Sequence, residues 1–272
     1  IMSSDWSSDV CSSDLTTRRE FDAYLQRSAI AAGAEDWSGR KPSVIDPARG
    51  RVTLADGEAL EGRLIVGADG VASATARALF GRAYDPAQVG FAMEVEAPPE
   101  PGAPDWVRID FGAADWGYGW QFPKSESATI GVGGLHARNP QMRAALERYL
   151  QDLGVDPAAQ QVKGAFLPFG AFRRVPGRGR VLLAGDAAGL VDPVTGEGLA
   201  HAIDSGRMAA EAAAAALAHG RAEAALPLYR DSLRPIHRAL RYARALRLLI
   251  YAPPLRAGFI RAFRTSRTLR DE

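Results

Sequence analysis

Cysteine is almost absent from this chain, and the single cysteine, Cys11, has no second cysteine to pair with. A disulfide within the chain and a metal site built on several cysteines are therefore excluded. The chain also lacks an apolar run near the roughly 20 residues that cross a bilayer, and no secretory signal peptide opens it. We therefore expect a cytoplasmic protein, or one that lies peripherally at the inner face of the membrane.

Net charge is nearly absent as well. The 33 Lys and Arg residues almost balance the 32 Asp and Glu residues, which leaves a net charge of +1 and argues against a nucleic-acid partner. The balance is uneven, because arginine is frequent and acidic residues are few from Pro227 onward. With 272 residues, 47% of them hydrophobic, the chain is long enough for one large or two small domains.

The first 15 residues have neither helical nor strand periodicity. Their stretch SSDWSSDVCSSDL repeats Ser-Ser-Asp three times, and an ordinary helical pattern begins abruptly at Thr16. The stretch is similar to translated sequencing-adapter DNA, so residues 1–15 are expected to be a non-native leader. A native disordered leader rich in Ser and Asp is the alternative.

Regular elements are predicted along most of the remaining chain. A helix with apolar residues at helical spacing ends at Gly33, and short strands follow at residues 43–46, 51–54 and 60–66. Residues 86–170 then hold β-rich runs separated by Pro and Gly clusters, with one helix among them. This pattern predicts an antiparallel sheet inserted into an α/β domain.

Two strand-to-helix junctions flank that sheet. In LIVGADGVAS, Asp69 and Gly70 follow a strand, and Ser73 is the predicted N-cap of a helix. In GRVLLAGDAAGLVDPVTGEGLAHAIDSG, a buried parallel strand is predicted before a loop, and Gly196 and Gly198 are placed in the first helical turn. Free backbone N–H groups there favour a ligand with electron-rich oxygens, and a glycine-rich turn without a ligand is the alternative.

The helix after the second junction is predicted to be amphipathic. Its proposed apolar positions are Leu199, Ala202, Ile203, Met208 and Ala209. In the predicted sheet, Tyr118, Trp120 and Phe122 alternate and so share one face. They are expected either to line an apolar pocket or to belong to the sheet core.

The stretches GADGVAS, YGWQFPK and GDAAGLVDPVTGEGLAHAIDSG stand in this order in the geranylgeranyl reductase family, which this chain resembles over residues 16–206. The resemblance implies FAD as cofactor, with Asp186 on the ribityl chain and a helix N-terminus at the flavin pyrimidine edge. It implies these cofactor-binding residues: Asp69, Gly70, Gly185, Asp186, Pro193, Gly196, Glu197 and Gly198. It implies this substrate pocket: Tyr118, Trp120, Phe122 and Pro123. No catalytic residue and no metal site are assigned.

One element of such families is missing from the sequence. They begin with a strand and a G-x-G-x-x-G turn that holds the FAD pyrophosphate, and the sequence has no such turn. The chain is therefore expected to be N-terminally truncated and not to retain FAD by itself. The four histidines are scattered, and none is expected to be catalytic.

The predicted fold class is α/β, with a partial FAD-binding Rossmann-like domain, an inserted antiparallel β-sheet substrate domain and a C-terminal helical tail. The predicted division has a leader at 1–15, FAD-binding parts at 16–85 and 171–221, the sheet domain at 86–170 and a basic tail at 222–272. Within the tail, residues 227–270 alternate Arg with apolar residues, and Pro253 and Pro254 are expected to split them into two helices. Peripheral membrane contact is expected there, and packing of the apolar stripe on the core is the alternative.

The predicted function is that of a FAD-dependent oxidoreductase that reduces isoprenoid C=C bonds, with NAD(P)H or another donor as reductant and a prenyl lipid as substrate. A flavin monooxygenase of aromatic substrates is one alternative, because it shares the two junctions. An inactive fragment that lacks the dinucleotide-binding front is the other alternative.

Overall fold

A computed structural model of the chain describes residues 18–98, 106–124, 126–169 and 171–266. The predicted leader and the last residues of the tail lie outside the described residues. The helices are α1 Arg18–Ala31, α2 Ala74–Phe80, α3 Met142–Asp152, α4 Leu199–Ala218, α5 Ala225–Ser232, α6 Arg234–Tyr251 and α7 Pro253–Thr265. The strands are β1 Pro42–Asp46, β2 Arg51–Leu54, β3 Ala59–Glu61, β4 Ile65–Gly67, β5 Gly90–Ala97, β6 Arg108–Phe111, β7 Gly117–Pro123, β8 Ala128–Leu135, β9 Lys163–Leu167, β10 Gly177–Arg178 and β11 Val181–Leu183.

The strands form three sheets. β1, β2 and β3 make a small antiparallel sheet, and β10, β11 and β4 make a second one in which β11 and β4 are parallel. The single strand predicted at residues 60–66 is therefore wrong, because β3 and β4 belong to different sheets. The chain turns between them, where the N–H of Gly62 donates to the carbonyl of Gly50 over 2.9 Å.

The third sheet has five antiparallel strands in the order β6-β7-β8-β5-β9. Helix α3 packs on one face, where Leu146 and Leu150 meet Val95, Ile130 and Val132 in a buried cluster. Each side chain in this cluster follows the alternation of its strand or the spacing of the helix, so one face of the sheet is closed and the other is free to line a cavity.

The parallel pair β4–β11 lies in the other main core. β11 is fully buried, as a strand covered on both faces should be, and Ala209, Ala212 and Ala216 of α4 lie in the same buried cluster. The predicted apolar face of α4 is partly wrong, because Leu199 is 38% exposed and Ile203 is 45% exposed. The buried face of α4 is instead made of small residues, Ser205, Ala209, Ala212 and Ala216.

The tail folds into α5, α6 and α7 rather than into two helices. The break at Pro253 is as predicted, and a further break occurs at Leu233, just before Pro235. The first part of the tail packs on the core, where the hydroxyl of Tyr229 donates to the carbonyl of Leu183 over 2.9 Å. In this first part of the tail, the apolar residues therefore pack on the core, which is the alternative to membrane contact. No helix among the described residues has the length and apolarity needed to cross a bilayer.

Candidate functional site

The two strand-to-helix junctions lie at one edge of the parallel pair. Register places Ile65 beside Val181 and Gly67 beside Leu183, and the N–H of Ala184 donates to the carbonyl of Gly67 over 3.0 Å. Because the carboxyl ends of parallel strands meet at one edge, the loops that follow β4 and β11 are neighbours. The structure therefore brings together two groups of residues that are far apart in the sequence.

At the first junction, Asp69 holds the start of α2. Its carboxylate accepts from the Ser73 hydroxyl over 2.5 Å and from both the N–H and the hydroxyl of Thr75, over 2.9 and 3.0 Å. Burial alone would raise the pKa of Asp69, but these hydrogen bonds hold it below its ordinary value. Gly70 adopts a φ of 73° in the turn, and Ser73 is the N-cap, as predicted. The predicted contact of Asp69 and Gly70 with the cofactor stays a prediction.

At the second junction, Asp186 has the opposite environment. Its carboxylate accepts no hydrogen bond from the described residues, and it lines a cavity of about 330 Å³. Burial raises the pKa of Asp186, and the distant Arg18 opposes this shift. A partly buried carboxylate without a donor is costly for the fold, so Asp186 is suited to accept a hydrogen bond from a ligand in this cavity.

Gly185 and Gly198 allow close approaches around Asp186. The N–H of Gly185 donates to the Ser205 hydroxyl over 2.9 Å, so this glycine joins the strand end to α4. A Cβ added at Gly198 would lie 2.9 Å from a methyl of Val191 and 3.1 Å from Oδ1 of Asp186. Any larger residue at position 198 would therefore press on the Asp186 carboxylate.

The loop before α4 is fixed by Asp192. Its Oδ1 accepts from the N–H groups of Val194 and Thr195 over 2.8 and 2.9 Å, and Pro193, which follows Asp192, is buried. Gly196 has a φ of 74°, and Glu197 after it is exposed. Such an Asx turn sets the path of the chain without using a ligand.

Gly196 and Gly198 precede α4 rather than lie in its first turn, since Gly198 is the N-cap. The positive φ of Gly196 is incompatible with a right-handed helix, which explains the difference. Among the residues that the structure describes, no side chain caps this end of α4. Its first N–H groups thus lack a side-chain acceptor and point toward the loop.

A large apolar cavity of about 880 Å³ lies between the free face of the five-stranded sheet and this loop. Tyr118, Trp120 and Phe122 all line it, whereas Pro123 does not, because the alternation of β7 turns it to the other face. The rings stand in a row, with centroids 5.8 Å apart for Tyr118 and Trp120 and 6.2 Å apart for Trp120 and Phe122. Both alternatives for these residues therefore apply to Trp120, which lines the cavity and is only 9% exposed.

The rings of Tyr118, Trp120 and Phe122 form one side of the cavity, which we call the aromatic wall. Glycines on β8 make room for it. Trp120 lies opposite Gly131, and Tyr118 lies opposite Gly133. Because glycine has no side chain, the indole of Trp120 lies close against β8 at Gly131 and Gly133. The alternating glycines and aromatic residues of β7 and β8 are thus one feature of the cavity.

Tyr118 connects the sheet to the loop. Its hydroxyl donates a hydrogen bond to the carbonyl of Thr195, and burial, with a smaller contribution from Asp192, raises the pKa of Tyr118. A second connection is the parallel bridge between Phe169 and Val191. The loop that leads into α4 and the aromatic wall therefore form two sides of one space.

Several cavity residues are missing from the predicted pocket. Ile109 and Phe111 on β6, Leu167 at the end of β9, and Phe169 also line it. The alternation of RIDF could have placed Ile109 and Phe111 on one face, but nothing in the sequence tells which face carries the helix. His201 serves the fold, with its Nδ1 3.2 Å from the carbonyl of Leu190.

The family model described as tryptophan halogenase matches residues 15–233. The menaquinone reductase of Mycobacterium tuberculosis is 30% identical over 213 residues, which cover 71% of this chain and 52% of the relative. The geranylgeranyl diphosphate reductase of Rhodobacter capsulatus is 30% identical over 220 residues, which cover 76% of this chain and 55% of the relative. The chain spans about half the length of these curated relatives.

A geranylgeranyl bacteriochlorophyll reductase-like protein from Thermoplasma acidophilum has a similar solved structure. The TM-score is 0.72 at 22% identity, and the match covers 87% of this chain and 66% of that chain. This likeness confirms the predicted α/β fold class with its antiparallel sheet. The relatives confirm the predicted resemblance to geranylgeranyl reductases. They also support the predicted enzyme class, which is flavin-dependent oxidoreductase.

Proposed function

Since the chain belongs to the tryptophan halogenase family, we propose that it carries the cofactor loop and substrate cavity of a FAD-dependent oxidoreductase of the geranylgeranyl reductase type. The reaction is the reduction of isoprenoid C=C bonds, with NAD(P)H or another donor as the source of electrons. One observation carries the proposal: residues 194–197, which lead into α4, form one side of the large apolar cavity.

The residues around Asp186 fit FAD. The Asp186 carboxylate has no donor among the described residues, and a ribityl hydroxyl is a donor of the kind it needs. The uncapped start of α4 offers backbone N–H groups, which favour electron-rich ring atoms and negative charge. Gly198 keeps the space between them free of a Cβ. These three features suit the ribityl chain and the ring system of a flavin, whereas the pyrophosphate site would come from the missing G-x-G-x-x-G turn.

Once reduced by its electron donor, bound FAD would supply a hydride to one carbon of the C=C bond, and the other carbon would take a proton. The chain's own residues would position the reactants: Asp186 would accept from the ribityl chain, and the N-terminus of α4 would stabilise negative charge on the ring system. Asp192 would hold the loop in place, because its carboxylate already fixes residues 194 and 195. The aromatic wall would exclude water from the reacting bond.

A prenyl lipid is the substrate class that suits the cavity. The aromatic row of β7 and the aliphatic residues of β6 and β9 present a long apolar wall, and the volume of about 880 Å³ is that of a small-molecule site. An isoprenoid chain buries much apolar area and few polar atoms, which matches such a wall. Phe122, at the end of the row, is where the chain would extend outward.

Contact with a membrane surface is part of the same proposal. A prenyl lipid resides in the bilayer, so an enzyme that takes it up gains from lying on the surface. α6 and α7 carry exposed apolar residues, among them Tyr242, Leu249, Leu255 and Ile260, interspersed with arginines. These two helices are the proposed contact.

A flavin monooxygenase of aromatic substrates remains the second candidate. It is favoured by the name of the matched family, which refers to tryptophan, an aromatic compound. The same cavity and the same loop would serve it. Oxygen consumption that depends on an aromatic substrate would support this candidate, whereas saturation of a prenyl chain without oxygen would support the reductase.

The test joins residues 16–272 to the amino-terminal part of the Rhodobacter capsulatus geranylgeranyl diphosphate reductase, since the chain spans about half of that relative. Flavin retained after gel filtration is measured by absorbance, and geranylgeranyl diphosphate is then incubated anaerobically with the reduced protein. We expect the product to gain two hydrogens per reduced bond by mass spectrometry. Asp186→Ala should lose flavin, and Phe122→Ala should keep flavin but bind the prenyl compound more weakly.

A matched control is Glu211→Ala, an exposed residue on the far part of α4, which should change neither quantity. Retention of flavin by Asp186→Ala would contradict the cofactor assignment. A prenyl product that forms equally well in Phe122→Ala would contradict the substrate assignment.

A further inference from the structure

A third cavity, of about 500 Å³, lies between the segment at Phe172 and the junction of α5 with α6. We call it the basic cleft. It is lined by Phe172, His237 and the following arginines: Arg174, Arg230, Arg234, Arg238 and Arg241. None of these residues lines the large apolar cavity, so the basic cleft has no part in the proposed substrate site.

The charges of the basic cleft are not balanced. Asp231 is the carboxylate that lines it, and it pairs with Arg230 over 3.2 Å and with Arg234 over 2.9 Å. Arg238 and Arg241 form no ion pair with a carboxylate of the described residues, and neither does Arg174. Like charges around one concave space repel each other, and a bound anion removes that repulsion.

A buried histidine adds a second, independent indication. His237 is 9% exposed, stacks on Phe172 with ring centroids 4.8 Å apart, and has no hydrogen-bond partner for Nε2 among the described residues. Burial, with a smaller contribution from Arg241, lowers the pKa of His237. An imidazole that carries a proton on Nε2 donates to an anion that arginines already attract.

The surface beside the basic cleft is apolar. On α6, Arg238 and Arg241 are followed by Tyr242, which is 71% exposed, and by the exposed Leu249. Helical spacing places Leu249 three turns after Arg238, on the same side of the helix. A molecule with a phosphate in the basic cleft could thus lay a hydrocarbon part along α6.

We propose that the basic cleft binds a phosphate group, and that the headgroup of an anionic phospholipid supplies it. Guanidinium groups suit phosphate because their planar N–H groups match its oxygens. The choice of a lipid as source rests on the membrane contact proposed above, whereas the site itself rests on the arginines and His237. A soluble phosphate compound is the other source of the same chemistry.

The test compares two variants that remove the same charge. Arg238→Gln/Arg241→Gln alters the basic cleft, and Arg143→Gln/Arg207→Gln alters exposed arginines on α3 and α4. The full chain is co-sedimented at low salt with vesicles of phosphatidylglycerol and, separately, of phosphatidylcholine. At roughly fivefold in affinity per arginine near a charged surface, the first variant should bind phosphatidylglycerol about 25-fold more weakly. The second variant should bind like the wild type.

Inorganic diphosphate, followed by calorimetry, tests the soluble source. His237→Phe keeps the stacked ring and removes the nitrogen, so it should weaken phosphate binding while the melting temperature shows that the fold is intact. Loss of vesicle binding in the cleft variant alone supports the lipid headgroup. If the cleft variant loses diphosphate binding but keeps vesicle binding, the basic cleft binds phosphate from a soluble compound. Equal losses in both arginine variants, or no loss in the cleft variant with either probe, would overturn the proposal.

Discussion

Replacement of Gly131 by alanine tests how the aromatic wall is built. A Cβ at Gly131 would lie 2.6 Å from Cε2 of Trp120 and 2.8 Å from the carbonyl oxygen of Met93. Neither neighbour can yield easily, because one is a ring held between Tyr118 and Phe122 and the other is backbone of the adjacent strand. The indole must therefore move into the cavity, or β8 must shift.

The expected cost follows from these contacts. Overpacking of a well-packed site costs about 1–3 kcal/mol, and the stiffer unfolded chain of an alanine returns about 0.4–1 kcal/mol. Because contacts below 3.0 Å place Gly131 at the upper end of the overpacking cost, the net loss is about 2 kcal/mol, which would lower the melting temperature by about 4–8 °C in a chain of this size. The displaced indole should also weaken binding of a prenyl compound, because it narrows the cavity.

Gly133→Ala is the matched control. It lies on the same strand, and its Cβ would be 3.2 Å from the Cβ of Ala92 and 3.3 Å from the edge of the Trp120 ring. Such contacts relax with small shifts, so we expect a loss below about 1 kcal/mol. Thermal denaturation followed by circular dichroism measures both variants. A Gly131→Ala protein with the same melting temperature as the wild type would refute the packing described for Trp120.

Three further predictions concern the cofactor edge and its link to the sheet. Asp186→Asn should raise the melting temperature of the flavin-free chain at neutral pH. The raised pKa of Asp186 means that its protonated form stabilises the fold at low pH, and this stability is lost as the pH rises through that pKa. Asp69→Asn should cost about 1–2 kcal/mol at neutral pH, and the difference should vanish in urea melts as the pH falls through the lowered pKa. Tyr118→Phe should cost about 1 kcal/mol and speed amide hydrogen exchange at residues 194–197, because the Thr195 carbonyl loses its donor.

Each of these predictions has an outcome that contradicts it. An Asp186→Asn chain that is less stable than the wild type at neutral pH would mean that the carboxylate has an unseen partner. A loss in Asp69→Asn that persists at low pH would assign its effect to shape rather than charge. Unchanged exchange in Tyr118→Phe, with a Phe91→Leu control elsewhere in the sheet, would separate the loop from the aromatic wall.

The parts of the site with strong local patterns could be predicted from the sequence. A Val-Leu-Leu run before Gly-Asp gave the buried strand β11, and the spacing of Tyr118 and Phe122 gave the shared face of β7. The N-cap at Ser73 also followed from local chemistry, because a short polar side chain before a helix has few other uses.

The remaining features depend on contacts that no local pattern encodes. Leu199 and Ile203 are exposed because the face of α4 that joins the buried cluster is the one with Ala209, Ala212 and Ala216. The split between β3 and β4 depends on the distant Gly50, which accepts the hydrogen bond of Gly62. Tertiary contacts such as these override the preferences of short stretches.

The parallel pairing of β4 with β11 has a consequence for the order of folding. All five strands of the antiparallel sheet lie between these two strands in the chain. Closing so long a loop costs entropy, and the cost falls once the intervening segment has collapsed into a compact unit. The antiparallel sheet should therefore form early, and the edge that carries Asp69 and Asp186 should form last and open first. Ligands at that edge would then slow unfolding of the chain more than they speed its folding.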